Sequence, residues 1–139
     1  MTVTVLDCIE RVQPIIKNML DKRKEITKSL IDYLGGRLKE IDEIFFIGSG
    51  TSNTSAWTSR LAVEKMAKLR ATTIVPNEFI YDRKRYNKNA LYVFTSQSGN
   101  SILTRECMRN LKKDGYLTCG ITEAASTDIG KEAGVHVDM

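Results

Sequence analysis

The sequence predicts an α/β sandwich, with helices on both faces of a parallel sheet. Five short apolar or β-branched runs lack polar alternation: "EIFFIG" (43–48), "ATTIV" (71–75), "ALYVF" (90–94), "LTCGI" (117–121) and "VHV" (135–137). Strands covered on both faces read this way. Helical stretches fall between the runs, over 53–69, 77–84, 101–113 and 126–132. Strand and helix thus alternate from about residue 40 onward. Right-handed crossovers then distribute the helices over both faces.

A helical lead-in precedes that alternation. Val5, Ile9, Val12, Ile15, Ile16, Met19 and Leu20 recur near helical spacing, and Pro14 is expected to kink the helix or delay its start. A second helix is expected over 22–34, with Ile26, Leu30, Ile31 and Leu34 on one face. Gly35–Gly36 should stop it, since a glycine inside a helix costs about 1 kcal/mol. The organisation is therefore a lead-in over 1–40 and an α/β domain over 41–139. No helix follows the fifth run to cover it, so the chain reads as the first half of a longer protein.

At 139 residues, 42% apolar and 27% charged, the chain can bury a core as a single domain. The net charge of +4 is spread over many segments, which favours solvated faces over nucleic-acid binding. The basic run Arg83, Lys84, Arg85 and Lys88 reads as solvated, or more weakly as raising the local potential for an anion. Cys8, Cys107 and Cys119 are expected as buried thiols in a reducing compartment, which suggests the cytoplasm. Asp7, Glu10 and Arg11 are foreign to a signal-peptide core, and no apolar run reaches about 20 residues, so no membrane association is expected.

Two polar loops stand out. "GSGTSNTS" (48–55) follows the first strand and "SQSGNS" (96–101) follows the third, and each feeds a helix. In open α/β sheets ligands sit at the carboxyl ends of strands where the strand order reverses. There, unpaired N–H groups and the positive end of the helix dipole meet rotatable hydroxyls. Such a mouth can hold a phosphate without a cation or metal. One hydroxyl per helix is enough for a cap, so the excess points to binding. A Walker loop is disfavoured because no lysine follows. A dinucleotide fingerprint keeps Gly48 and Gly50 but has Asn53 at the third glycine position. Glu78, after the second strand, leaves that reading open, though "SQSGNS" has no role in it.

The motifs resemble those of sugar isomerase (SIS) domains. "IGSGTSNTSAW" is similar to the family's G-x-G-[ST]-S turn, "NEFIY" (77–81) to its S-E-F-x-Y segment, and "SQSGNS" to its S-x-S-G-x-[ST] phosphosugar loop. The resemblance implies a flavodoxin-like, three-layer αβα domain with a five-stranded parallel sheet that binds a sugar phosphate and needs no cofactor. Carried over by motif, Ser96, Gln97, Ser98 and Ser101 would contact the phosphate, while Gly50, Thr51 and Ser52 would line the sugar side. Asn100, where the aminotransferase-like synthase has glutamate, tilts the expectation toward isomerases and deglycases or deaminases of amino-sugar phosphates. In double-SIS members the acid–base groups come from beyond the first domain, so catalytic residues are expected downstream of Met139. The partner would be a second SIS domain or another copy in a homo-oligomer, such as a dimer.

Other residues weigh less. His136, the single histidine, is expected on a strand face away from both polar loops. Trp57, with Leu61, Ala62 and Met66, is expected in the core or at a dimer contact. Glu78 and Glu123 are the carboxylates nearest the expected site, and either could move a proton in an enediol step. The rival functions are a non-catalytic sugar-phosphate sensor and, more remotely, a dinucleotide-binding domain.

Overall fold

The structure is a computed structural model that describes residues 4–82 and 86–139. Arg83, Lys84 and Arg85 of the basic run therefore lie outside the described residues. Five strands, β1 (Glu43–Gly48), β2 (Arg70–Ile74), β3 (Ala90–Thr95), β4 (Leu117–Thr122) and β5 (Val135–Asp138), form one parallel sheet in the order β2-β1-β3-β4-β5. This is the expected flavodoxin-like order, with its reversal between β1 and β3. The helices are α1 (Val5–Asp21), α2 (Arg23–Ile26), α3 (Lys28–Leu34), α4 (Thr51–Ala62), α5 (Pro76–Tyr81), α6 (Ile102–Lys113) and α7 (Asp128–Glu132).

The period-two pleat sends neighbouring apolar residues to opposite faces, which builds two cores from unbroken apolar runs. Phe45, Ile47, Tyr92 and Phe94 pack with Phe79 of α5, Met108 and Leu111 of α6 and Ile129 of α7. On the other face Phe46, Leu91, Val93 and Cys119 pack with Leu34 of α3 and Ala56 of α4. Burial pushes the Cys107 thiol up to about 11 and the Cys119 thiol up to about 12, so neither supplies a thiolate near neutrality.

Several expectations need correcting. The fifth strand is covered after all: α3 packs on β5, and Ser29 Oγ donates to His136 O at 3.1 Å. The covering helix comes from the lead-in instead of following the strand. The 22–34 helix is two short pieces broken at Thr27, whose hydroxyl donates to the Arg23 carbonyl at 2.7 Å. Pro14 lies inside α1 and does not delay its start, which comes at Val5. Cys8 is exposed on that helix. Trp57, Leu61 and Met66 are not core residues but are exposed on and beyond α4.

Helix α1 is capped by Thr4 and Asp7, whose backbone amides each bond the other's side chain at 2.7 and 3.2 Å. These bonds hold the Asp7 carboxyl below its ordinary value. None of its residues is buried, and its whole apolar stripe is exposed. Among the described residues no helix is long and apolar enough to cross a membrane.

Candidate functional site

The carboxyl ends of β1 and β3 lie side by side, with Gly48 paired to Thr95. Helix α4 starts directly beyond one strand and α6 just beyond the other. On this face α4 lies over β1 and β2 and α3 lies over β5. A cleft of about 490 Å³ sits among α4 and the strand ends. Thr51, Ser52, Ser55 and Ser59 line its α4 side, and Thr95 and Gln97 line the β3 side. Phe46, Ile121, Met19 and Met139 give it an apolar wall.

Gly48 permits this closeness. A Cβ there would stand 3.0 Å from Thr95 O and 3.1 Å from Ser52 Cβ. Gly50 begins α4 with φ 57°, a conformation that favours glycine, and no side chain caps that helix. The Thr54 hydroxyl turns back to Gly50 O at 3.3 Å and the Ser59 hydroxyl to Ser55 O at 3.1 Å.

The second loop is held by its backbone. Ser96 N donates to Ile121 O, Glu123 N to Gln97 O and Ile129 N to Gly99 O, at 3.1, 3.0 and 3.0 Å. Gly99 turns at φ 62°. Ser101 is the N-cap residue of α6, yet its hydroxyl pairs with Thr104 Oγ1 at 2.9 Å and no side chain caps the helix. Ser98 is exposed, and its hydroxyl accepts from Asn100 N at 3.4 Å. Among the described residues no side chain therefore takes up the first-turn amides of α6.

The structure brings three of the sequence-derived candidates, Thr51, Ser52 and Gln97, into the cleft lining. Gly50 lies at its edge as the N-cap of α4. Ser96 is buried at the strand end, while Ser98 and Ser101 lie on the adjoining loop and not in the lining. Sequence reasoning did not single out Ser55, Ser59 and Thr95 as lining residues. The signal was present, since 52, 55 and 59 fall on one face of a helix. Glu78 and Glu123 are exposed and outside the lining, which among the described residues contains no ionisable side chain.

An ion-pair network fixes α7, whose first turn underlies the second loop. Arg105 reaches Asp128 at 2.5 Å and Glu132 Oε1 at 2.9 Å, and Arg109 also pairs with Glu132. Hydrogen bonds from Arg105 and Arg109 pull the Glu132 carboxyl down to about 2. Among the described residues no group of three His, Cys, Asp or Glu side chains could hold a metal ion.

A family model for the SIS domain matches residues 37–139. The isomerizing glutamine–fructose-6-phosphate aminotransferase of Listeria monocytogenes is 31% identical over 121 residues, covering 86% of this chain and 20% of that protein. The chain thus spans about a fifth of the length of the curated relatives it matches. A crystal structure assigned to a phosphosugar isomerase of Clostridium difficile 630 matches with a TM-score of 0.82 at 16% identity, covering 96% of this chain and 37% of that one. The sugar isomerase domain of an RpiR transcription factor from Sphaerobacter thermophilus matches with a TM-score of 0.71 at 12% identity, covering 94% and 73%. At these identities the structural likeness concerns the fold.

Proposed function

The chain belongs to the SIS domain family, and from that premise we propose that its cleft binds a sugar phosphate. One observation carries the reading. Two uncapped helix starts converge beside a cleft lined by neutral hydroxyls and an amide. The phosphate sits at the 96–101 loop, where Ser96, Gln97, Ser98 and Ser101 offer hydroxyl, amide and backbone donors. The sugar extends toward Gly50, Thr51 and Ser52. Neutral donors aligned with two helix dipoles suit an anion. Each hydrogen bond to a charged group nets roughly 1.5–3 kcal/mol. Four of them, less the cost of ordering, give micromolar to millimolar affinity, which suits a metabolite.

The domain serves an aldose–ketose isomerase, or a deglycase or deaminase of amino-sugar phosphates. In these reactions a proton moves next to a carbonyl. Among the described residues the lining has no ionisable side chain, which supports a proton handled by a group brought to the cleft from elsewhere. The same neutrality favours a second reading, a sensor that holds the ligand without converting it.

Binding is tested by calorimetry with fructose 6-phosphate and glucosamine 6-phosphate, against fructose, inorganic phosphate and NADH. The phosphorylated sugars should bind and fructose should not. NADH binding that is indifferent to fructose 6-phosphate would replace this reading with the dinucleotide one. Turnover assays on the full-length protein separate enzyme from sensor.

The homo-oligomer forms through α1. Val5, Ile9, Val12, Ile16 and Met19 follow the 4-3-4-3 spacing of a helix-packing seam, and Leu6, Ile15 and Leu20 widen it. These side chains form one continuous exposed apolar stripe along the helix, the kind of face that a second helix covers. A second copy of this chain is the occupant. Met19 belongs both to that seam and to the cleft rim, so the partner sits next to the site.

A further inference from the structure

His136 lies on β5 and bonds neither polar loop directly, as expected, but it connects to the second loop through two hydroxyls. Its side chain is only 11% exposed. Its Nε2 lies 2.8 Å from Thr122 Oγ1, which lies 2.9 Å from Thr127 Oγ1. Both hydroxyls also reach Ala124 O, each at 2.9 Å. The hydroxyls bring one proton apiece to these four contacts. With a proton on Nε2, three of the four become hydrogen bonds, and with Nε2 bare only two do. A proton on Nε2 satisfies one more of these contacts, while Nδ1 lies 3.7 Å from Asp138 Oδ1, and in either tautomer the imidazole bonds the Thr122 hydroxyl.

Thr127 is where this relay meets the second loop. Its hydroxyl accepts from Gly130 N at 3.1 Å and lies directly against Gly99. A Cβ on Gly99 would stand 2.3 Å from Thr127 Oγ1. Ile129, two residues on, clamps Gly99 O through its amide at 3.0 Å. Gly99 is the left-handed turn that delivers the chain from Ser96 to α6. A connected path therefore runs from β5, through two hydroxyls, to the turn that aims the loop's amides.

We propose that His136, acting through Thr122 and Thr127, is a positioning residue for the anion loop. The imidazole holds the Thr122 hydroxyl, which fixes the Thr127 rotamer, and that rotamer seats the Gly99 turn. Without the imidazole the Thr122 hydroxyl loses its bond to β5, and Thr127, still tied to Ala124 O and Gly130 N, loses the bracing that Thr122 gives it from that side. The role of the loop in holding phosphate rests on the phosphosugar reading above, while the relay's grip on Gly99 does not.

The test compares His136→Leu, which removes the bond to Thr122, with His136→Gln, whose amide group can restore it. Thr122→Val and Thr122→Ser form a second pair in case the leucine variant fails to fold. Fructose 6-phosphate binding is measured by calorimetry well below each thermal midpoint, and hydrogen exchange is read at the Gly99 and Asn100 amides without ligand. His136→Leu and Thr122→Val should bind about 5- to 10-fold more weakly, as expected for the loss of one buried hydrogen bond. They should also exchange those amides faster. His136→Gln and Thr122→Ser should stay within about 2-fold of the parent. A merely structural histidine would lower the midpoint but leave affinity and local exchange alone, and that result overturns the proposal. Equal weakness of the glutamine and leucine variants overturns it too. If the parent binds no sugar phosphate, the phosphosugar reading has failed, and the exchange data alone decide the relay.

Discussion

Replacing Gly48 with alanine tests the geometry on which the site depends. Gly48 has ordinary extended backbone, so alanine carries no conformational strain there, and the effect is steric. The added Cβ would lie 3.0 Å from Thr95 O, 3.1 Å from Ser52 Cβ and 3.3 Å from Ser52 C. These atoms belong to backbone and to the first turn of α4, not to flexible tips that swing aside. Overpacking of this kind costs about 1–3 kcal/mol. Loss of glycine's freedom in the unfolded chain offsets about 0.4–1 kcal/mol of that. The net expectation is about 1–2 kcal/mol of destabilisation by urea denaturation. Gly36→Ala is the control, because nothing lies within 4 Å of its Cβ and its φ is not positive, so it should be neutral or slightly stabilising. Relief comes by moving α4 away from β3, which parts Ser52 from Thr95, two residues of the cleft. Fructose 6-phosphate should therefore bind more weakly as well. A Gly48→Ala variant as stable as the parent, with the same affinity, would refute the idea that this contact sets the spacing of the two helix starts.

Three further outcomes are expected. Ser98→Ala should weaken sugar-phosphate binding by roughly 1–3 kcal/mol with little change in stability, because its hydroxyl is exposed and its bond from Asn100 N is long, and unchanged calorimetric affinity would remove Ser98 from the site. Glu132, whose ordinary value is 4.5, is held near 2 in the fold, so its pairing stabilises above about pH 4.5 and is lost as pH falls toward 2. Glu132→Gln should flatten the urea midpoint across that window, and an unaltered slope would mean the Arg105 and Arg109 pairs contribute nothing. Ile9→Asp combined with Ile16→Asp should turn a dimer into a monomer by sedimentation while circular dichroism keeps the α/β signal, and a monomeric parent would defeat the α1 interface.

The sheet was legible because each strand is a local signal. "ALYVF" and "EIFFIG" are unbroken apolar runs, and every expected strand lies within a residue of its observed limits. Helix ends were harder. The stretch expected over 53–69 begins at Thr51, because Gly50 rather than a side chain starts the helix, and its last turn widens into a π-turn over Val63–Ala67. The lead-in misled for a different reason. Its helical period was plain in the sequence, but a period says only that a face is apolar, not what covers it. Helix α3 turned out to cover β5, while α1 presents its stripe outward.

At the site, what could be read was what the chain states locally: two glycine- and hydroxyl-rich loops after β1 and β3. What could not be read depends on cross-strand register. In the sheet His136 pairs with Gly120, and Thr122 with Asp138. Gly120 offers no side chain opposite the imidazole, so the ring can lean along the sheet to Thr122. A single-sequence reading sees a lone histidine in a short strand and has no way to weigh a glycine 16 residues earlier. The same register that hid the relay accounts for its reach. Strands β4 and β5 end together beside the loop that follows β3, so a residue on the sheet's edge strand can act two strands inward. A histidine on β2, at the opposite edge, would have no hydroxyl path to Gly99. The arrangement therefore ties the 96–101 loop to the β5 side of the sheet, where α3 packs and where Ser29 bonds the His136 carbonyl.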